Sequence, residues 1–182
     1  MAAYLVLLFA VLSRILPVAF HATSVNFTAV GGGLLFFGAR RSRWQTLIAV
    51  LALMATDYYL TVYAYGYAFQ TSSYLVTWAW YAAVCLIGHQ FLSGKSSMLR
   101  VSGAVLASST SFFLLSNFVV LAGSGMYTHN FAGLSTCYVA AIPFYANDVI
   151  STAITAGALF GLPALASSIA QTIREAHSSQ IA

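Results

Sequence analysis

The stretch NFTAVGGGLLFFGA, residues 26–39, decides how this chain is folded. It is apolar enough to enter a membrane. Its 14 residues barely cover a hydrocarbon core of roughly 30 Å, however, which a helix needs about 20 residues to cross. Three successive glycines, Gly31, Gly32 and Gly33, lower its helix propensity. A short, tilted, broken or re-entrant segment is expected. Whether it counts as a crossing sets the direction of every segment after it.

The rest of the chain supplies that context. It has 182 residues, 60% hydrophobic and only 5% charged. A soluble domain carries about a quarter charged residues, so this composition cannot build a water-facing surface. The expected fold is all-α, a polytopic membrane bundle of about six segments near 2–19, 26–39, 44–65, 74–92, 99–122 and 138–166. Residues 1–170 form a single transmembrane domain, followed by a short polar tail, 171–182. The N-terminal run MAAYLVLLFAVLSRILPVAF has no basic start, places Arg14 within its apolar region and offers Phe20 where a cleavage site needs a small residue. It reads as an uncleaved first span. Two cysteines, Cys85 and Cys137, do not indicate a disulfide framework.

Basic residues stay on the cytoplasmic side. Arg40, Arg41 and Arg43 follow the second segment, Lys95 and Arg100 follow the fourth, and Arg174 follows the sixth. With six crossings all of them share one side with the N-terminus; with five, Arg174 lands opposite. The charges therefore favour counting 26–39 as a segment, with both termini cytoplasmic. Trp44 then lies at the inner interface, and Tyr63, Tyr65, Tyr67 and Tyr74 lie near the outer one, as a belt or as residues that close over a ligand.

Ionisable residues within spans are costly and need partners or a wet cavity. Three occur: Arg14, Asp57 and Asp148. Arg14 and Asp57 lie at similar depth and can pair, although Arg14 is long enough to reach either carboxylate. Asp148, Ser151, Thr152 and Thr155 fall at i, i+3, i+4 and i+7 on one helix face. On the fifth segment Gly103, Thr110 and Asn117 recur every seven residues beside Ser102, Ser109 and Ser116. On the fourth, Tyr81, Cys85 and His89 are four apart. Such stripes face inward, as helix glue or as the lining of a site. In IPFYANDVIST, residues 142–152, Pro143 removes a backbone hydrogen bond and kinks its helix just outward of Asn147 and Asp148. That places a polar pocket at mid-membrane, open outward, unless Pro143 is a neutral kink. The candidate substrate-binding residues are Asn147, Asp148, Asn117, Asp57, Arg14, Asn26, His129 and Tyr145.

The remaining signals are weaker. His129, Asn130 and Cys137 lie on the longest external stretch, without metal-ligand spacing. The histidine pairs His21/His129 and His89/His177 lie too near segment ends for haem. No metal or other cofactor is expected. Asn26-Phe27-Thr28 matches the glycosylation sequon, a common three-residue pattern. No nucleophile–base arrangement stands out, so an enzyme is not expected, and nothing suggests nucleic acid. Gly157 and Gly161 form a GxxxG, for internal packing or for docking a partner.

SRILP, NFTAVGGGLLFFGA, SNFVVLAGSGMY and GLSTCYVAAIPFYAND together resemble a family of small, uncharacterised bacterial six-helix membrane proteins, over residues 13–161. In layout that family is similar to the substrate-binding (S) components of energy-coupling-factor vitamin transporters. The resemblance implies an inner-membrane protein that takes up a small vitamin-like molecule from outside, with a transmembrane coupling protein and an ATPase module as partners. Such components commonly carry alanines four apart on their first helix for docking. Here Ala3 is followed by Leu7, and Ala10 by Arg14. The other function classes are an accessory subunit of a larger membrane complex and a redox or ion-conducting subunit.

Overall fold

The computed structural model describes residues 1–20, 27–94 and 96–181, with side chains described to residue 174. Among the described residues, six helices make up the bundle. They are α1 (Ala2–Ala19), α2 (Val30–Arg40), α3 (Thr46–Tyr59), α4 (Thr71–Leu92), α5 (Met98–Gly123) and α6 (Phe131–Ala156). A 3-10 turn, Arg43–Gln45, leads into α3, and a wide π turn, Leu60–Ala64, extends it. A second π turn, Gly157–Gly161, carries α6 onward as Leu162–Ile181. Every helix except α2 is long and apolar enough to cross a membrane.

The short segment becomes the centre of the bundle. α2 has 11 residues, a length of about 16 Å, which is half a hydrocarbon core. Every residue from Val30 to Ala39 is buried, and α2 packs against all five other helices. A helix that is apolar all round belongs in an interior. The glycines explain how its neighbours come so close. A Cβ on Gly38 would run into the Cys85 carbonyl of α4, and one on Gly88 of α4 would run into the Leu35 carbonyl of α2. The two backbones therefore meet directly. Gly31 and Gly32 face Thr152 and Thr155 of α6, and Gly33 faces Ala10 of α1. Small residues permit this approach, and the resulting close packing outweighs their poor helix propensity.

Contacts among side chains place Arg40 and Arg41 at one end. The Arg41 guanidinium lies over the Tyr4 ring at 4.5 Å, and Arg40 over Phe36 at 5.4 Å. Gln45 donates to the Tyr4 hydroxyl, His89 Nδ1 lies 3.2 Å from the Arg41 carbonyl, and Phe160 meets Phe36 edge-on. The start of α1, the end of α2, the start of α3, the end of α4 and the π turn after α6 thus share this arginine end. From there α2 runs back only halfway. The Ala29 amide donates to Ser13 Oγ at 2.9 Å, six residues before the end of α1, which is a depth of about 9 Å. The first turn of α2 is therefore inside the bundle.

Outward faces are apolar. Leu5, Leu8 and Phe9 on α1, Leu47 and Leu51 on α3, and Leu114, Leu115 and Phe118 on α5 are all exposed. Lipid is the solvent in which such a surface is stable. The fold is a helical membrane bundle.

Several details differ from the sequence expectation. α6 begins at Phe131, so the long external stretch shrinks to residues 124–130, capped where Asn130 Oδ1 accepts from the Gly133 amide. Cys137 is thereby buried in α6, its thiol 3.5 Å from the Asn117 carbonyl. Pro143 does not break α6, which stays helical through it. Only the Val139 carbonyl loses its usual donor, on an exposed face. Ser102 and Gly103 face outward. Their seven-residue stripe turns inward only from Ser109 on, where α5 meets α6. The expected polar tail continues the helix of α6 to Ile181.

Candidate functional site

Arg14 chooses between its two possible partners. Its Nη1 lies 2.6 Å from Asp57 Oδ1, joining α1 to α3. The same nitrogen donates to the Tyr81 hydroxyl at 3.0 Å. Asp57 Oδ2 accepts from Trp78 Nε1 at 2.9 Å, and both its oxygens lie within 3.4 Å of the Tyr81 hydroxyl. Asp57 is 1% exposed, so its charge needs this full set of partners. Thr61, in the π turn after α3, bonds the Asp57 carbonyl and shares a 2.6 Å hydrogen bond with Tyr74.

Beside this network lies a cavity of about 400 Å³. Arg14, Asp57 and Tyr81 form one wall. Thr28, Val30 and Gly31 form the floor at the start of α2, and Asn147, Asp148 and Ser151 of α6 form the opposite wall. Tyr74, Thr77, Trp80, Phe112 and Phe144 complete it. Tyr74 lies one turn inside the far end of α4, while Tyr81 is seven residues deeper, about 10 Å along the helix. The cavity therefore occupies the half of the bundle that α2 leaves unfilled. The short second segment and the pocket are the same structural fact.

The floor has a polarity of its own. The first amides of a helix have no intrahelical acceptor and carry about half a positive charge. Ala29, at the cap position of α2, gives no side-chain cap. Among the described residues nothing caps Val30 or Gly31, which line the cavity floor, and the start of a helix there is suited to an acceptor atom.

Asp148 stands apart from the Arg14 network. Among the described residues its Oδ2 is buried with only the neutral Ser109 hydroxyl facing it, outside full hydrogen-bond geometry. Both residues line a second cavity of about 220 Å³ between α5 and α6, together with Ser116, Asn117 and Tyr145. Phe112, Phe144 and Asp148 line both cavities, with Phe144 itself 65% exposed on the outer side of α6.

The predicted residues thus sort into groups. Arg14, Asp57, Asn147 and Asp148 share the main cavity. Asn117 and Tyr145 line the side cavity, where Asn117 Nδ2 bonds its own helix at the Phe113 carbonyl and the Tyr145 hydroxyl pairs with Thr110 at 2.9 Å. His129 joins neither; it lines a separate depression with Asn130 and Leu134 at the end of α5. Asn26 lies outside the described residues. Of the four tyrosines expected near the outer interface, Tyr74 reaches the cavity, whereas Tyr63, Tyr65 and Tyr67 are exposed. Ser151 adjoins Asp148 in the cavity, whereas Thr152 and Thr155, lower on the stripe, pack on Gly31 and Gly32 as glue. A Cβ on Gly157 or Gly161 would meet nothing within 4 Å. This GxxxG does not serve packing within the described chain, because the π turn aims it outward.

Sequence reasoning missed Trp78, Trp80, Phe112 and Phe144. The signal for α4 was present: Tyr74, Thr77, Trp78 and Tyr81 fall at i, i+3, i+4 and i+7. Trp80 lies beside that face, held by its Nε1–H to the Ser108 carbonyl at 3.1 Å.

One family model matches residues 1–174, which contain the whole bundle and both cavities. The chain belongs to DUF6580, a family of unknown function. No curated protein and no solved structure is significantly similar to it. Membership in DUF6580 assigns no activity, so the functional reading rests on the cavity.

Proposed function

We propose that this DUF6580 protein is a substrate-binding membrane subunit. It holds a small, vitamin-like molecule in the cavity beside α2 and hands it to an energised partner complex. The observation that carries the reading is the half-length of α2, which leaves about 400 Å³ bounded by Asn147, Asp148 and the start of α2. Ligand sites are concave and mostly apolar, with a few convergent polar groups, and volumes of roughly 300–1,000 Å³ are typical. Discontinuous helices that end near mid-membrane are a recurrent way to present such groups.

In this reading the arginine end faces the cytoplasm, by the positive-inside rule, and the cavity loads from outside. The cell's inner membrane is the expected location, with both termini inside. The partner, a coupling protein with an ATPase module, docks at the arginine end. Ala3, Leu7 and Ala10 of α1 are buried within the chain, so that face of α1 is already used. Outward-facing Gly157 and Gly161 are the docking residues available instead.

The same two glycines favour a second reading, an accessory subunit of a larger complex, in which docking matters and the cavity does not. Native mass spectrometry of gently solubilised protein separates the two. A retained small-molecule adduct that disappears in Asn147→Ala supports the binding subunit. Stable companion chains with no adduct support the accessory reading.

A further inference from the structure

We infer that the molecule held in this cavity is a small organic cation, an amine or quaternary ammonium on a flat apolar body. The inference rests on the binding-subunit reading and adds the ligand's charge.

The balance of charge around the cavity is uneven. Arg14 and Asp57 cancel at 2.6 Å. Asp148 remains: among the described residues its Oδ2 is buried with only the neutral Ser109 hydroxyl beside it, and Arg14 is the one basic side chain lining either cavity. The start of α2 offers about half a positive charge, which cannot neutralise a full carboxylate. An unpaired carboxylate at membrane depth is costly, so the cavity favours an occupant that brings a positive charge. An anion would add a second negative charge to the site.

The aromatic lining points the same way. Phe112 and Phe144 flank Asp148 in both cavities, and Trp80 packs on Phe112 with ring centroids 4.5 Å apart. Ring faces attract cations, and flat rings offer an apolar body matching surfaces. The cation therefore sits between Asp148 and this aromatic lining, with its body in the main cavity. The start of α2 takes any acceptor atom it carries.

Calorimetric titration of the purified full chain in nanodiscs tests this. Three probes share a phenyl body: benzyltrimethylammonium, its neutral carbon isostere neopentylbenzene, and phenylacetate. Saturable binding of benzyltrimethylammonium is expected, tighter than either other probe by about tenfold or more, the scale of one charge-assisted contact. Asp148→Asn should remove that preference and Asp148→Glu should retain it. If the preference is unchanged in Asp148→Asn, or if phenylacetate binds best, the cation assignment is overturned while the binding-subunit reading stands. If no probe binds saturably to the unaltered chain, the cation assignment is overturned, and retention of the native molecule decides the binding-subunit reading. The probe comparison in the unaltered chain remains decisive should either variant fold poorly.

Discussion

Arg14 and Asp57 meet at 2.6 Å across α1 and α3, and among the described residues that meeting leaves Asp148 without a basic partner. Two carboxylates in one membrane bundle thus acquire opposite roles. Asp57 is held by Arg14, Trp78 and Tyr81 and ties three helices together. Asp148 lines the cavity, outside that network.

Breaking the pair from one side should be costly. Arg14→Met strands a buried carboxylate and Asp57→Leu strands a half-buried guanidinium, each destabilising by about 3–5 kcal/mol. The double variant, with no charge left to satisfy, should recover much of that loss. Thermal or denaturant unfolding of all four proteins in detergent checks it. Additive losses in the double variant would mean that the two charges do not act as a pair.

Asp148 should behave in the opposite way. Asp148→Asn removes a buried charge that has no basic partner among the described residues, so the unfolding temperature should stay level or rise while ligand retention falls. Stability exchanged against function in this manner marks a site rather than a scaffold. A clear drop in unfolding temperature would instead place Asp148 among the structural residues.

The glycines separate by where their missing Cβ would go. Gly38→Ala and Gly88→Ala drive a methyl into the Cys85 and Leu35 carbonyls, and backbone cannot swing aside. Each should cost about 1–3 kcal/mol or more, as overpacking does. Gly161→Ala meets open space and should leave unfolding unchanged. Equal effects at all three positions would contradict the direct α2–α4 backbone contact.

Gly157→Leu and Gly161→Leu probe docking. Both side chains would project away from the bundle, so the isolated protein should unfold as before. Co-purification of partner chains from native membranes should weaken. Undiminished co-purification would move the interface elsewhere.

Much of this architecture was legible in the chain. Charge scarcity and six apolar segments identified the bundle, and the length of residues 26–39 marked that segment as short, broken, tilted or re-entrant. Equal depth on parallel segments paired Arg14 with Asp57. The i, i+3, i+4 spacing put Asp148 and Ser151 on one inward face. What was hidden is which neighbours meet. Periodicity tells which face of α4 is inward, but not that Trp78 and Tyr81 would complete the shell of Asp57. Nor did the glycine triplet reveal that α2 would be enclosed on every side, since an apolar helix in lipid and one in a protein core have the same composition. Pro143 suggested a break, yet the cavity arises from the early end of α2, so the void came from a different element. Gly157 and Gly161 had the spacing of an internal contact, and only the π turn that contains them decides that they face out.

A binding chamber of this kind requires that water reach Asn147. Cys85 and Cys137 are buried, so the unaltered chain should resist a membrane-impermeant thiol reagent and serve as the blank. In cells, Asn147→Cys should be modified from the side opposite the arginine end, and Ile150→Cys, on an exposed apolar face of the same helix, should not. Labelling of Ile150→Cys with Asn147→Cys inert would contradict the chamber and, with it, the proposal that this protein holds a small molecule.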